Sequence, residues 1–136
     1  MAEDLRAHAF PLLNGIYKMT NSSYFLRVNG GHGIFENGVD TKMEVGIEMG
    51  EFGEAEPEIV EKATTGDSVT NKNYNIQISY PIMDNFKELG IVSDDGMRIT
   101  SKNIMGINNW EWITEEELAA IQAEGDPIEA PPGFKS

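Results

Sequence analysis

The chain has 136 residues, 10 Lys plus Arg against 23 Asp plus Glu, a net charge of −13 and no cysteine. That is the length of one domain, enough to bury one core without cross-links. The missing thiols exclude disulfides, thiolate metal sites, cysteine nucleophiles and iron–sulfur clusters, and the negative charge opposes nucleic acid and anionic membrane surfaces as partners.

The first residues carry two acids before Arg6 and no apolar run of secretory length. No stretch approaches the roughly 18 apolar residues of a membrane span. Both point to a cytoplasmic protein. Residues 2–10 predict a short helix that stops near Pro11. Asn21-Ser22-Ser23 fits a glycosylation sequon, which without a leader reads as chance.

A series of short strands follows. The candidates are 15–20, 24–28, 33–36, 41–49, 58–65, 74–80, 86–92, 97–101 and 109–113. The clearest places Met43, Val45, Ile47 and Met49 on one face and Lys42, Glu44, Gly46 and Glu48 on the other. Such alternation means a strand with one dry and one wet face. Tyr74, Ile76, Ile78 and Tyr80 repeat the pattern, and Pro81 ends it by removing a ladder donor. Turn chemistry separates the runs: Asn29-Gly30-Gly31, Asn37-Gly38, Thr65-Gly66-Asp67 and Asn71-Lys72-Asn73. Ser93-Asp94-Asp95-Gly96 between apolar flanks is the strongest hairpin signal. Turns at intervals of roughly 8–12 residues suit an antiparallel sandwich or barrel. Nine candidate strands are many for an open sheet, and closure removes the edges.

Thr114-Glu115-Glu116-Glu117 forms a capping box, so a second helix starts at Glu115, with an apolar edge at Leu118 and Ile121 and a stop near Gly125. Beyond it lie Pro127, Pro131 and Pro132, which allow neither helix nor central strand. The expectation is an all-β, antiparallel up-and-down barrel of about eight to ten strands with a short N-terminal and a C-terminal helix. Residues 1–125 form the single β-barrel domain, and 126–136 a Pro/Gly-rich tail.

Few residues point to metal or nucleophilic chemistry. Seven glutamates lie between Glu44 and Glu61, without the loop pattern of a calcium site, and read as a solvated face. His8 and His32 are too few for a three-histidine zinc site, and His32 sits in a glycine-rich turn. No serine-nucleophile elbow occurs. The reading therefore calls for no metal and no cofactor. Arg98 flanks Met97 and Ile99 and faces the surface if they face the dry side.

Trp110 and Trp112 share one face of one strand and supply either a flat pocket wall or a plug for the core. Met19, Met43, Met49, Met83, Met97 and Met105 are adaptable fillers that suit a pocket or a loosely specified core.

Gly15-Ile16-Tyr17 after a short helix, followed by a meander and a C-terminal helix, resembles the opening of a lipocalin, with Tyr17 where that family carries tryptophan. Residues 43–52 resemble the central strand of cytosolic fatty-acid-binding proteins. Both families are calycins, and the resemblance implies a small barrel that holds an apolar ligand. The fatty-acid clamp of the latter family is missing here, so no such site is carried over.

A barrel of eight or more strands can enclose one small molecule. The leading expectation is a binding protein for a small apolar molecule of the lipid, retinoid, carotenoid or tetrapyrrole class. Its wall would be Tyr17, Met19, Met43, Val45, Ile47, Tyr74, Ile76, Ile78, Trp110 and Trp112. The alternative is a cofactor-free isomerase, cyclase or hydratase in the same barrel. Tyr17, Tyr80, Glu111, His32 and Asp84 are its unranked acid–base candidates. A buried carboxylate or histidine pointing inward would favour catalysis. A third class is an interaction module with a solid core. The oligomeric state stays open.

Overall fold

The structure, a computed structural model, describes residues 12–20, 22–50, 57–64, 74–93 and 95–124. Eight strands run in chain order around a closed barrel: β1 (Gly15–Met19), β2 (Phe25–Asn29), β3 (His32–Glu36), β4 (Lys42–Gly50), β5 (Tyr74–Tyr80), β6 (Phe86–Val92), β7 (Arg98–Asn103) and β8 (Gly106–Ile113). Each pairs antiparallel with the next. The seam closes by pairing β1 with β8, Tyr17 opposite Trp112 and Met19 opposite Trp110. Among the described strands, closure leaves no edge for another chain to pair with. The chain is thus an all-β antiparallel barrel. The predicted helix over 2–10 and the tail over 126–136 lie outside the described residues.

The predicted alternation sets the inner face. Tyr17 and Met19, Leu26 and Val28, Phe35, Val45 and Ile47, Ile76, Ile78 and Tyr80, Val92, Ile99 and Trp110 form one buried cluster with Leu12. Phe35 is its hub, edge-on to Tyr80 at 5.5 Å and to Trp110 at 6.2 Å between ring centroids. Ile99 faces inward, which leaves Arg98 on the outer side of β7, half-buried.

The outer face is partly covered by two helices. α2 (Glu115–Ala123) begins with the expected capping box at Thr114. It lays Leu118 over Ile16 and Phe25, and Glu115 reaches Arg27 at 2.7 Å. The other helix corrects the sequence reading. Residues 58–65 do not form a strand; α1 (Pro57–Thr64) is helical. Pro57 suits a first helical turn, Glu58 and Lys62 complement the dipole, and Ile59 with Val60 packs over Ile91 on the outside of β6. The β-branched pair reads as strand locally, but its partner surface is one side of a helix. Among the described members of the glutamate run, Glu44, Glu48, Glu58 and Glu61 are exposed, as expected.

Two described turns use the residues expected of them, while the turns predicted over 65–67 and 71–73 lie outside the described residues. Asn37 Oδ1 accepts from the amides of Val39, Asp40 and Thr41 and so shapes the β3–β4 turn. Gly96 has φ +77° in the β6–β7 turn, where its amide donates to the Ser93 carbonyl. In a meander the β1–β2, β3–β4, β5–β6 and β7–β8 turns share one end. Exposed Val39, Ile82, Ile104 and Met105 all lie in turns of that end. The opposite end is closed by Leu12, fully buried against the inner cluster. Among the described residues no helix is long and apolar enough to cross a membrane.

Candidate functional site

One polar group interrupts the apolar wall. On β6, Phe86, Glu88, Gly90 and Val92 share a face, and Glu88 stands two residues in from the β5–β6 hairpin with no solvent exposure. An isolated buried carboxylate is costly unless its oxygens are satisfied. Here the donors come from the neighbouring strands. The Tyr80 hydroxyl donates to Oε1 at 3.1 Å. Ser101 Oγ donates to Oε2 at 2.7 Å and Asn108 Nδ2 to Oε2 at 2.6 Å. Trp110 Nε1 in turn donates to Ser101 Oγ at 2.9 Å. Asn103 contributes a further side-chain bond. All of these donors are neutral.

Gly90 makes the arrangement possible. It pairs with Ser101 across β6 and β7. A Cβ at Gly90 would lie 2.6 Å from the Thr100 carbonyl oxygen and 2.9 Å from Ser101 Cα. Both are backbone atoms, so the strands would have to separate and carry Ser101 away from Glu88.

Burial pushes the Glu88 carboxyl above the usual glutamate range, while its hydrogen bonds from Asn108, Ser101, Tyr80 and Asn103 pull it part of the way back. Burial, and next the charge of Glu88, push the Tyr80 phenol well above its ordinary value. Asn108 is itself fully buried, and its Oδ1 accepts no hydrogen bond among the described residues. An amide orientation is usually ambiguous. Here the carboxylate decides it, because turning the amide over would set Oδ1 against Oε2. The site therefore presents a carboxylate and a spare amide oxygen inside a wall of aliphatic and aromatic side chains.

Most of the predicted wall residues come together. Tyr17, Met19, Val45, Ile47, Ile76, Ile78 and Trp110 lie in the inner cluster, with Met43 and Trp112 packed against it and partly buried. Tyr74 lies on β5, and its side chain falls outside the described residues. The two indoles do not form an open sandwich. Trp110 is fully buried beside Phe35, and Trp112 lies over Gly15 with its Nε1 donating to the Asn14 carbonyl at 3.1 Å.

Of the acid–base candidates, only Tyr80 reaches the polar group. The Tyr17 hydroxyl is held by backbone, accepting from the Leu13 amide and donating to the Gly96 carbonyl, each at 2.8 Å. His32, Asp84 and Glu111 are exposed. Among the described residues no group of His, Asp and Glu is arranged to hold a metal ion.

Sequence reasoning missed Glu88, Ser101, Asn103 and Asn108. The signal was present but ambiguous. In 86–92, Phe86, Gly90 and Val92 compete with Leu89 and Ile91 for the dry face. Only the register with β5, Tyr80 opposite Phe86 and Ile78 opposite Glu88, turns the glutamate inward.

A separate recess of about 340 Å³ opens beside β2, β3 and β4, lined by Arg27, Asn29, His32, Ile34 and Glu44 among others. Its Arg27 is already engaged by Glu36 at 2.9 Å and Glu115 at 2.7 Å. The Glu88 group is the stronger candidate. Protein-family models, curated proteins and solved structures all give no match to this chain, so the chemistry of the site rests on its own geometry.

Proposed function

We propose that the chain is a binding protein that holds one small, mostly apolar molecule inside the barrel. The observation that carries this reading is the asymmetry of the inner face. One polar group, Glu88 with its donors Tyr80, Ser101 and Asn108, sits in a wall of apolar side chains. Binding sites for small molecules have that composition, an apolar lining with a few placed polar groups that fix orientation. The interior of an eight-stranded barrel is of a size that side chains fill or that holds one small ligand. The closed meander is compatible with the calycin families, and the same reading sets the protein in the cytosol, which a cysteine-free chain suits. Met43, Met49 and Met83 lie at the margin of the inner cluster, and thioethers there can move aside at little cost.

The test is a titration of tryptophan fluorescence with 1-hexanol, supported by calorimetry. Trp110 is two hydrogen bonds from Glu88 by way of Ser101 and reports directly. A saturable change is expected. No saturable change with hexanol, hexylamine or hexanoate would overturn the reading in favour of a solid core.

A second reading is catalysis, favoured by the Glu88 carboxyl that burial holds above its usual range, as a general base requires. Deuterium exchange into the carbons flanking the carbonyl of 2-hexanone in heavy water separates the two. Exchange accelerated by the protein and abolished by Glu88→Gln favours catalysis; no acceleration favours binding.

A further inference from the structure

We propose that the molecule held in the barrel carries a protonated amine, received by Glu88 and the spare oxygen of Asn108. This rests on the binding reading above and adds the chemical class of the ligand's head.

Three observations support it. Among the described residues, every donor that reaches Glu88 is a neutral hydroxyl or amide, so these dipoles and not a cation solvate its charge. A charged donor makes the stronger bond to a carboxylate. Asn108 Oδ1, fully buried, is an acceptor without a donor among the described residues, and its orientation is fixed by the bond from Nδ2 to Glu88. A lone buried acceptor is a standing cost that a ligand N–H removes. Finally, the rings of Phe35, Tyr80 and Trp110 stand around the same part of the inner cluster, and aromatic faces attract a desolvated cation.

Other head groups fit less well. A carboxylate would face Glu88 with like charge. A hydroxyl brings one donor where the site offers two acceptors. A pure hydrocarbon leaves Asn108 Oδ1 as it is. An ammonium brings several donors and a compensating charge, and the net charge of −13 raises the local concentration of cations around the protein.

The experiment compares hexylamine, 1-hexanol and hexanoate on the unmodified 136-residue chain at pH 7, by tryptophan fluorescence and calorimetry. The expected order is hexylamine about tenfold or more tighter than hexanol, with hexanoate weakest. Glu88→Gln, checked for folding by circular dichroism, should bring hexylamine to within about twofold of hexanol. If hexanol or hexanoate binds as tightly as hexylamine, the amine inference fails and the binding reading stands. The same holds if Glu88→Gln keeps the full preference. If none of the three binds, both fail. The series on the unmodified protein decides the matter even if the variant does not fold.

Discussion

At the scale of one residue, Glu88 links the interior to pH. Its folded carboxyl titrates above the unfolded value because burial penalises the charge. The folded state then holds that proton more tightly than the unfolded chain. The stability it contributes is full below the unfolded value and is lost as pH rises through the raised folded value. Glu88→Gln removes this dependence, because the introduced amide does not ionise. Wild type and variant share every other titrating group, so their difference isolates Glu88. We expect the variant to gain stability relative to wild type as pH rises from the ordinary glutamate range to pH 8. The gain should shrink as pH falls toward the ordinary value of 4.5. Thermal melts of both proteins across that range measure it. A difference independent of pH would mean that Glu88 does not titrate in the folded protein. Glu88→Leu also removes the titration, but it strands the Asn108 Nδ2 donor and should lie about 1–3 kcal/mol below Glu88→Gln at every pH.

At the scale of the element, the seam between β1 and β8 depends on Gly15. It has φ +131°, a region that side chains rarely adopt, and a Cβ there would lie 2.7 Å from Trp112 Nε1. Gly15→Ala must therefore strain the backbone and displace the indole from Asn14. The expected loss is about 2–4 kcal/mol, from the strained conformation and the broken packing together. Urea denaturation measures the loss, and an unchanged midpoint would show that the seam does not need the close approach. The Gly-x-aromatic opening was visible in the sequence, but its reason was not, because Trp112 is 97 positions away along the chain. The same division runs through the rest of the fold. Strands β4 and β5 were legible from strict alternation, and α2 from its capping box. In α1 the β-branched Ile59 and Val60 misled, since only Ile91 on β6 shows what they cover. Glu88 was illegible for a related reason. Local pattern fixes a strand's two faces but not which one turns inward, and one residue of slip exchanges them.

At the scale of the molecule, the chain carries a net charge of −13, a count that includes the buried Glu88. Like charges repel, so the surroundings of Glu88 disfavour a second anion and favour a cation beside it. The surface field acts before any contact forms, and salt screens it. The screening length is about 30 Å at 0.01 M salt and about 8 Å at 0.15 M, so the field extends well beyond the surface only at the lower concentration. A protonated amine approaching the barrel should feel this difference, and a neutral alcohol should not. Stopped-flow fluorescence on Trp110 and Trp112 should show the association rate of hexylamine falling several-fold between those salt concentrations. The rate for 1-hexanol should stay within experimental error. The paired comparison separates the effect of charge from any general effect of salt, because the two molecules share a chain length and differ in charge. Equal salt dependence for the two would show that the surface charge plays no part in recruiting the ligand, and would leave the buried carboxylate as the sole source of preference.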